Sequence, residues 1–166
     1  MTQATEDFEE FARARTPRLY RTAWLLAGEH HLAEDLVQET LAKLHRSWRR
    51  IEHVDNLPAY AQTVLARTYI SQRRRRSSTE QPSETLPDRA DRPGDPELRL
   101  SLQQALAELA PLDRAVLVLR FFEDRSVEQV ALDLGKNAGA VRTRTSRALD
   151  RLRTVLGDEA VHLAAL

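Results

Sequence analysis

The sequence predicts an all-α protein made of two small helical domains on a tether, and three observations carry that prediction. No stretch alternates apolar and polar residues with a period of two, whereas apolar residues recur at i, i+3, i+4, i+7 along most of the chain. Residues 77–95, SSTEQPSETLPDRADRPGD, hold three of the seven prolines, with a fourth following at once as Pro96. They contain no aromatic residue and no Val or Ile, the composition of a flexible linker. Helical periodicity then resumes. The expected division is a first domain at 1–76, a linker at 77–95, a second domain at 96–157 and a tail at 158–166.

In the first domain a helix is expected from about Asp7 to Ala27, with Thr16-Pro17 marking a kink or a break and Gly28 stopping it. A second runs from about Leu32 to Arg50, with Val37, Leu41, Leu44 and Trp48 on one stripe. Its acidic residues Glu34, Asp35 and Glu39 come early and its basic residues Lys43, Arg46, Arg49 and Arg50 late, which complements the helix dipole. A third begins near Leu57-Pro58 and ends in the run Arg73 to Arg76.

The second domain opens with Asp95 as cap and Pro96 at the first helical position. Leu98, Leu102, Ala105, Leu106 and Leu109 form its first stripe, and Pro111 is expected to end that helix. Another begins near Leu112 and carries the apolar run VLVL to Phe121 and Phe122 as core. Ser126 can cap a short helix, with Gln129 as its capping-box partner, and Val127, Val130, Ala131 and Leu134 repeat along it. Gly135 suits a left-handed C-cap and Asn137 caps the next helix two residues later.

Two short helices around a tight turn, the second with five arginines, outline a helix-turn-helix. In that second helix Val141, Thr145, Ala148, Leu152 and Val155 share one face. Thr143, Ser146, Arg147 and Asp150 point away with Arg142 beside them, a small, polar, basic surface suited to a DNA major groove.

Composition narrows the remaining classes. With 42% hydrophobic and 30% charged residues the chain reads as a globular protein, and without cysteine it offers no disulfide and no thiol nucleophile. No apolar run is long enough for a signal peptide or membrane helix, so an intracellular, cytoplasmic protein without membrane insertion is expected. His30, His31, His45, His53 and His162 show no metal-ligand spacing, and no catalytic motif appears, so neither an enzyme nor a cofactor is expected. Net charge is zero but unevenly spread: residues 1–76 carry 13 Lys/Arg against 10 Asp/Glu, residues 77–98 carry 2 against 6, and residues 99–166 carry 10 against 9. An acidic connector thus masks two mildly basic ends.

Several segments together resemble a known family. AEDLVQETLAKLHRSW (33–48), LDRAVLVLRFFED (112–124), SVEQVALDLG (126–135) and AVRTRTSRALDRLR (140–153) are similar to the extracytoplasmic-function, or group IV, sigma factors of bacterial RNA polymerase. Within that group the resemblance is to the actinobacterial SigE-like subfamily, which commonly has D-F-E-E-F near the start, W-x-R-I after region 2.2 and T-S-R-A-L in region 4.2. It implies that the first domain is sigma region 2 and the second sigma region 4. It also implies that Asp35, Gln38 and Glu39 dock on core RNA polymerase, and that promoter DNA is the second partner. Minus-10 recognition and melting then fall to Asn56, Arg67, Tyr69, Ser71, Gln72, Arg73 and Arg74, with the loop His53 to Asn56 capturing a base. Minus-35 recognition falls to Arg142, Thr143, Arg144, Ser146 and Arg147, with Arg144 at the edge toward phosphate. Many members of the group are held inactive by an anti-sigma factor, so such a partner is among those implied.

Opening a duplex needs a positive track and a pocket or aromatic face for an unstacked base. Arg49, Arg50, Arg67 and Arg73 to Arg76 suit the first. Tyr60, Tyr69 and Trp48 are aromatic candidates for the second, Trp48 being read as core. Two departures from the family pattern stand out: Arg67-Thr68 replaces a usual small polar residue such as Asn, and Val141-Arg142-Thr143 replaces V-K-S, exchanging a point charge for a fork. The residues alone also allow a one-component regulator binding an operator as a dimer, or a helical adaptor. The tail from 158 reads as a frayed helix end or a degron.

Overall fold

A computed structural model describes residues 2–79 and 96–157, with side chains at 2–77 and 101–157. The chain divides into two compact units, with the division between Thr85 and Leu86. All regular structure among the described residues is helical. The expected linker overlaps the end of α4, which continues to Thr79; its remainder, the Asp95 cap and the tail 158–166 lie outside the described residues.

The first unit holds α1 (Gln3–Ala27), α2 (His30–Arg46), α3 (Trp48–Ile51) and α4 (Leu57–Thr79). Its three long helices pack pairwise, burying Leu19, Ala23 and Leu26 of α1 against Ala33, Leu36, Val37 and Leu44 of α2 and Ala61, Leu65 and Ala66 of α4. Pro17 lies inside α1 without ending it. Gly28 at φ 80° closes that helix, its N–H donating to the Trp24 carbonyl at 3.0 Å. The second expected helix is in fact two: α2 stops at Arg46, Ser47 breaks the path, and Trp48 and Ile51 of the one-turn α3 turn into the core. Phe8 and Phe11 each place their rings 5.4 Å from that of Trp48, which ties the start of α1 to α3.

The second unit holds α5 (Pro96–Ala107), α6 (Pro111–Leu117), α7 (Val127–Leu134) and α8 (Ala138–Leu156). Pro111 opens α6 rather than closing α5, since its missing N–H costs nothing in a first turn. Ala105, Leu106 and Leu109 join Ala115 to Leu119, Val130, Ala131, Val141, Ala148 and Leu156 in the core. After α6 the chain widens into a π-turn (Val118–Phe122), in which Glu123 N–H donates to the Val118 carbonyl at 3.1 Å. The extra residue in that turn rotates the backbone beyond α6, and the expected core residues Phe121 and Phe122 emerge 51% and 43% exposed. The π-turn leads to Asp124, in the left-handed region at φ 52°, and then to the buried Arg125.

Candidate nucleic-acid and partner interfaces

The helix-turn-helix is set by local capping. Ser126 Oγ accepts from Gln129 N–H at 3.0 Å and Asn137 Oδ1 from Ala140 N–H at 2.7 Å, with Gly135 at φ 64° between them. The capping box is only half formed, because the Gln129 amide donates forward to Asp133 Oδ1 at 3.0 Å. Asp133 also accepts from Arg125 Nη1 at 2.6 Å, and both are more than 90% buried. This pair bolts α7 to the end of the π-turn.

In α8 the inward residues Val141, Thr145 and Ala148 are buried, but the stripe ends on Leu156, and Val155 is exposed. Arg142, Thr143, Ser146 and Arg147 all face outward. Thr143 donates its hydroxyl proton to the Gly139 carbonyl at 3.0 Å, leaving an acceptor and a methyl group for a ligand.

The arginines of α8 are not equivalent. Arg142 pairs with Glu128 at 3.0 Å, Arg144 with Asp113 at 2.8 Å, Arg151 with Glu108 at 3.1 Å and Arg153 with Asp150 at 3.3 Å. Arg147 has no such partner among the described residues. Arg144, half-buried, is a strut from α8 to α6.

In the first unit Asp35 and Gln38 are exposed on α2. Glu39 faces α4 instead: Gln72 Nε2 donates to Oε2, Arg75 Nη2 to Oε1 at 3.1 Å, and Lys43 lies 3.8 Å away. Burial works to raise the Glu39 carboxyl, but the hydrogen bonds from Gln72 and Arg75 and the charges of Arg75 and Lys43 outweigh it, holding its pKa below the ordinary glutamate value. A groove lined by Asp35, Gln38, Glu39, Gln72, Arg75 and Arg76 results. Residues assigned from sequence to two different partners therefore share one wall.

Along α4, Arg67, Ser71 and Arg74 lie on one exposed face with Arg73 beside it, while Tyr69 is only 3% exposed. Tyr69 is thus a core residue, and its expected place among DNA contacts is corrected. Asn56 is the N-cap of α4, its Oδ1 accepting from Ala59 N–H at 3.1 Å. His53, Val54, Asp55 and Asn56 form an exposed turn. A second pocket lies between α2 and α4, lined by Lys43, Leu44, Arg46, Ser47, Tyr60, Val64, Arg67 and Thr68. Of these, the sequence points to Tyr60 and Arg67. It marks Lys43 and Arg46 only as dipole partners, and the i, i+3 spacing that sets both on one helix side is the signal that could have found them.

The family model Sigma-70 region 2 matches residues 11–79, and Sigma-70, region 4 matches residues 99–152. The RNA polymerase sigma-E factor of Streptomyces coelicolor is 37% identical over 155 residues, covering 90% of this chain and 86% of the relative. The chain belongs to the sigma-70 family. It is a sigma factor of the extracytoplasmic-function, SigE type: the ECF RNA polymerase sigma factor SigE of Mycolicibacterium smegmatis is 32% identical over 164 residues, spanning 92% of this chain and 63% of that one. Among solved structures, the sigma factor RpoE in complex with the anti-sigma factor NepR from Bartonella quintana superposes with a TM-score of 0.76 at 30% identity, covering 92% of this chain and 98% of that one. In this sigma factor, the groove, the second pocket and the exposed face of α4 fall within the region 2 match. The paired arginines Arg142, Arg144 and Arg151, with Arg147, fall within region 4. No helix among the described residues is long and apolar enough to cross a membrane.

Proposed function

We propose that this chain is a promoter-specificity subunit that binds core RNA polymerase through the α2 face at Asp35, Gln38 and Glu39 and directs initiation at promoters with minus-10 and minus-35 elements. The observation that carries the reading is the pairing, in one chain, of a region 2 unit with an arginine-lined α4 and a region 4 helix-turn-helix. The polymerase supplies the catalysis and this chain the recognition. Residues 1–76 form the docking and minus-10 unit, 77–95 the connector and 96–157 the minus-35 unit.

In the first unit Arg67, Ser71, Arg73 and Arg74 track the strand. The pocket of Lys43, Arg46, Tyr60 and Arg67 offers an aromatic wall and cationic rim to an unstacked base delivered past the turn at His53 to Asn56. Gln72 contributes once released from Glu39. In the second unit Arg147 and Arg142 read base edges, Thr143 and Ser146 assist, and Arg144 positions α8. The work is done in the cytoplasm, where the polymerase is, and an anti-sigma factor, as bound by the similar RpoE, is a fitting regulatory partner.

Size-exclusion chromatography of the purified chain with sigma-free core polymerase, before any DNA is added, tests the reading. One-to-one co-elution is expected, and Asp35→Arg with Gln38→Ala removes it while leaving the helical signal intact. Failure to co-elute together with tight binding of free DNA as a dimer would favour a one-component regulator instead.

A further inference from the structure

We infer that Glu128 is a specificity-determining residue of the minus-35 interface, acting by fixing the Arg142 guanidinium for one guanine. The inference rests on the reading of α8 as the DNA-reading helix. Glu128 sits in the first turn of α7, where the helix dipole favours a carboxylate. That accounts for its charge but not for its direction. The side chain leaves its own helix and reaches α8 across the turn, accepting from Arg142 Nη2 at 3.0 Å. The other pairs of α8 run elsewhere: Arg144 to α6, Arg151 to Glu108 just beyond α5, and Arg153 within α8 itself.

The two partners are 67% and 61% exposed, and an ion pair so open to solvent adds little to stability. Its effect is to restrict geometry. An untethered arginine on an exposed helix face spreads its fork over many rotamers and meets phosphates as readily as bases. Reading guanine requires one edge of the planar guanidinium to face O6 and N7 together. A carboxylate that occupies one Nη fixes the plane and leaves the remaining donors to be presented as an edge. It also sets a negative charge beside the reading position, which repels phosphate oxygens and so disfavours a backbone contact by Arg142.

The test uses holoenzyme assembled from core polymerase and the full chain, transcribing a promoter set in which each minus-35 position is changed in turn. Wild type is expected to prefer guanine by about tenfold at one position. Glu128→Gln and Glu128→Ala bind core as tightly as wild type, and that preference falls to about threefold or less, with the other positions unmoved. Arg142→Ala loses the same preference, and the Glu128→Ala, Arg142→Ala double variant loses no more than Arg142→Ala alone. Retention of full preference by Glu128→Gln, or an equal loss at every position, overturns the proposal while leaving the sigma reading intact. A wild-type holoenzyme with no minus-35 preference overturns both.

Discussion

Glu39 joins the proposed docking face to the proposed DNA-facing helix, and its ionisation is part of that joint. Its folded pKa is depressed, so its contribution to stability is complete above the ordinary carboxylate value of about 4.3 and is lost as pH falls through the lower folded value. At neutral pH Glu39→Gln is expected to destabilise the first unit by about 1 kcal/mol or less, since the carboxylate is partly exposed and screened. That difference from wild type shrinks as the medium is acidified below about pH 4, which urea titrations at a series of pH values check. The Arg125–Asp133 pair is the opposite case, buried and hydrogen-bonded on both oxygens of the carboxylate. Asp133→Leu takes the carboxylate away from a buried guanidinium and is expected to cost about 3 kcal/mol, whereas Arg125→Met with Asp133→Leu recovers most of the loss. Both tryptophans, Trp24 and Trp48, belong to the first unit, so circular dichroism should register the change while tryptophan fluorescence unfolds as before.

Among the elements, α1 carries the plainest local conflict. Pro17 deprives it of one backbone hydrogen bond at an exposed position, and Thr16 Oγ1 bonds the Ala12 carbonyl at 2.6 Å just before it. Pro17→Ala is expected to stabilise the first unit by about 1–3 kcal/mol, seen as a higher urea midpoint by tryptophan fluorescence. The same contrast between local and distant causes decides how far the sequence is legible. The caps at Ser126 and Asn137 and the stops at Gly28 and Gly135 are legible because each involves only a few neighbouring residues. Ser47 is not, since the break there comes from turning Trp48 and Ile51 into the core. Composition assigns Phe121 and Phe122 to the core, and the π-turn, which no periodicity announces, puts them outside. An arginine-rich neighbourhood in sequence gives Tyr69 the look of a DNA contact, yet its own side of α4 faces α1 and α2. Asp35 and Gln38 are legible as an exposed pair on α2. The attachment of Glu39 to Gln72 and Arg75, 33 and 36 residues away, is not.

Across the whole molecule, the proposed division of labour predicts separable losses. Arg147→Ala is expected to reduce transcription from a cognate promoter about tenfold or more, by losing a bidentate base contact, while co-elution with core polymerase is unchanged. Asp35→Arg with Gln38→Ala acts one step earlier, abolishing co-elution and with it transcription from every promoter. Chromatography and a single-round transcription assay on the same preparations distinguish the two, and equal loss of core binding in Arg147→Ala would make that residue structural.

The pairing of the α8 arginines has a consequence for free DNA. Binding to a duplex draws much of its strength from cations displaced when protein charges neutralise phosphates. Four of the five arginines of α8 already have a carboxylate beside them, so this helix offers little uncompensated charge with which to displace the cations condensed on DNA. A fall in log affinity with log salt of roughly one to two units, the slope of one or two neutralised phosphates, is expected as the share of α8, read as the difference in slope between promoter DNA with and without its minus-35 half. Weak binding of this kind would leave the chain free for the polymerase rather than held on DNA that carries no promoter.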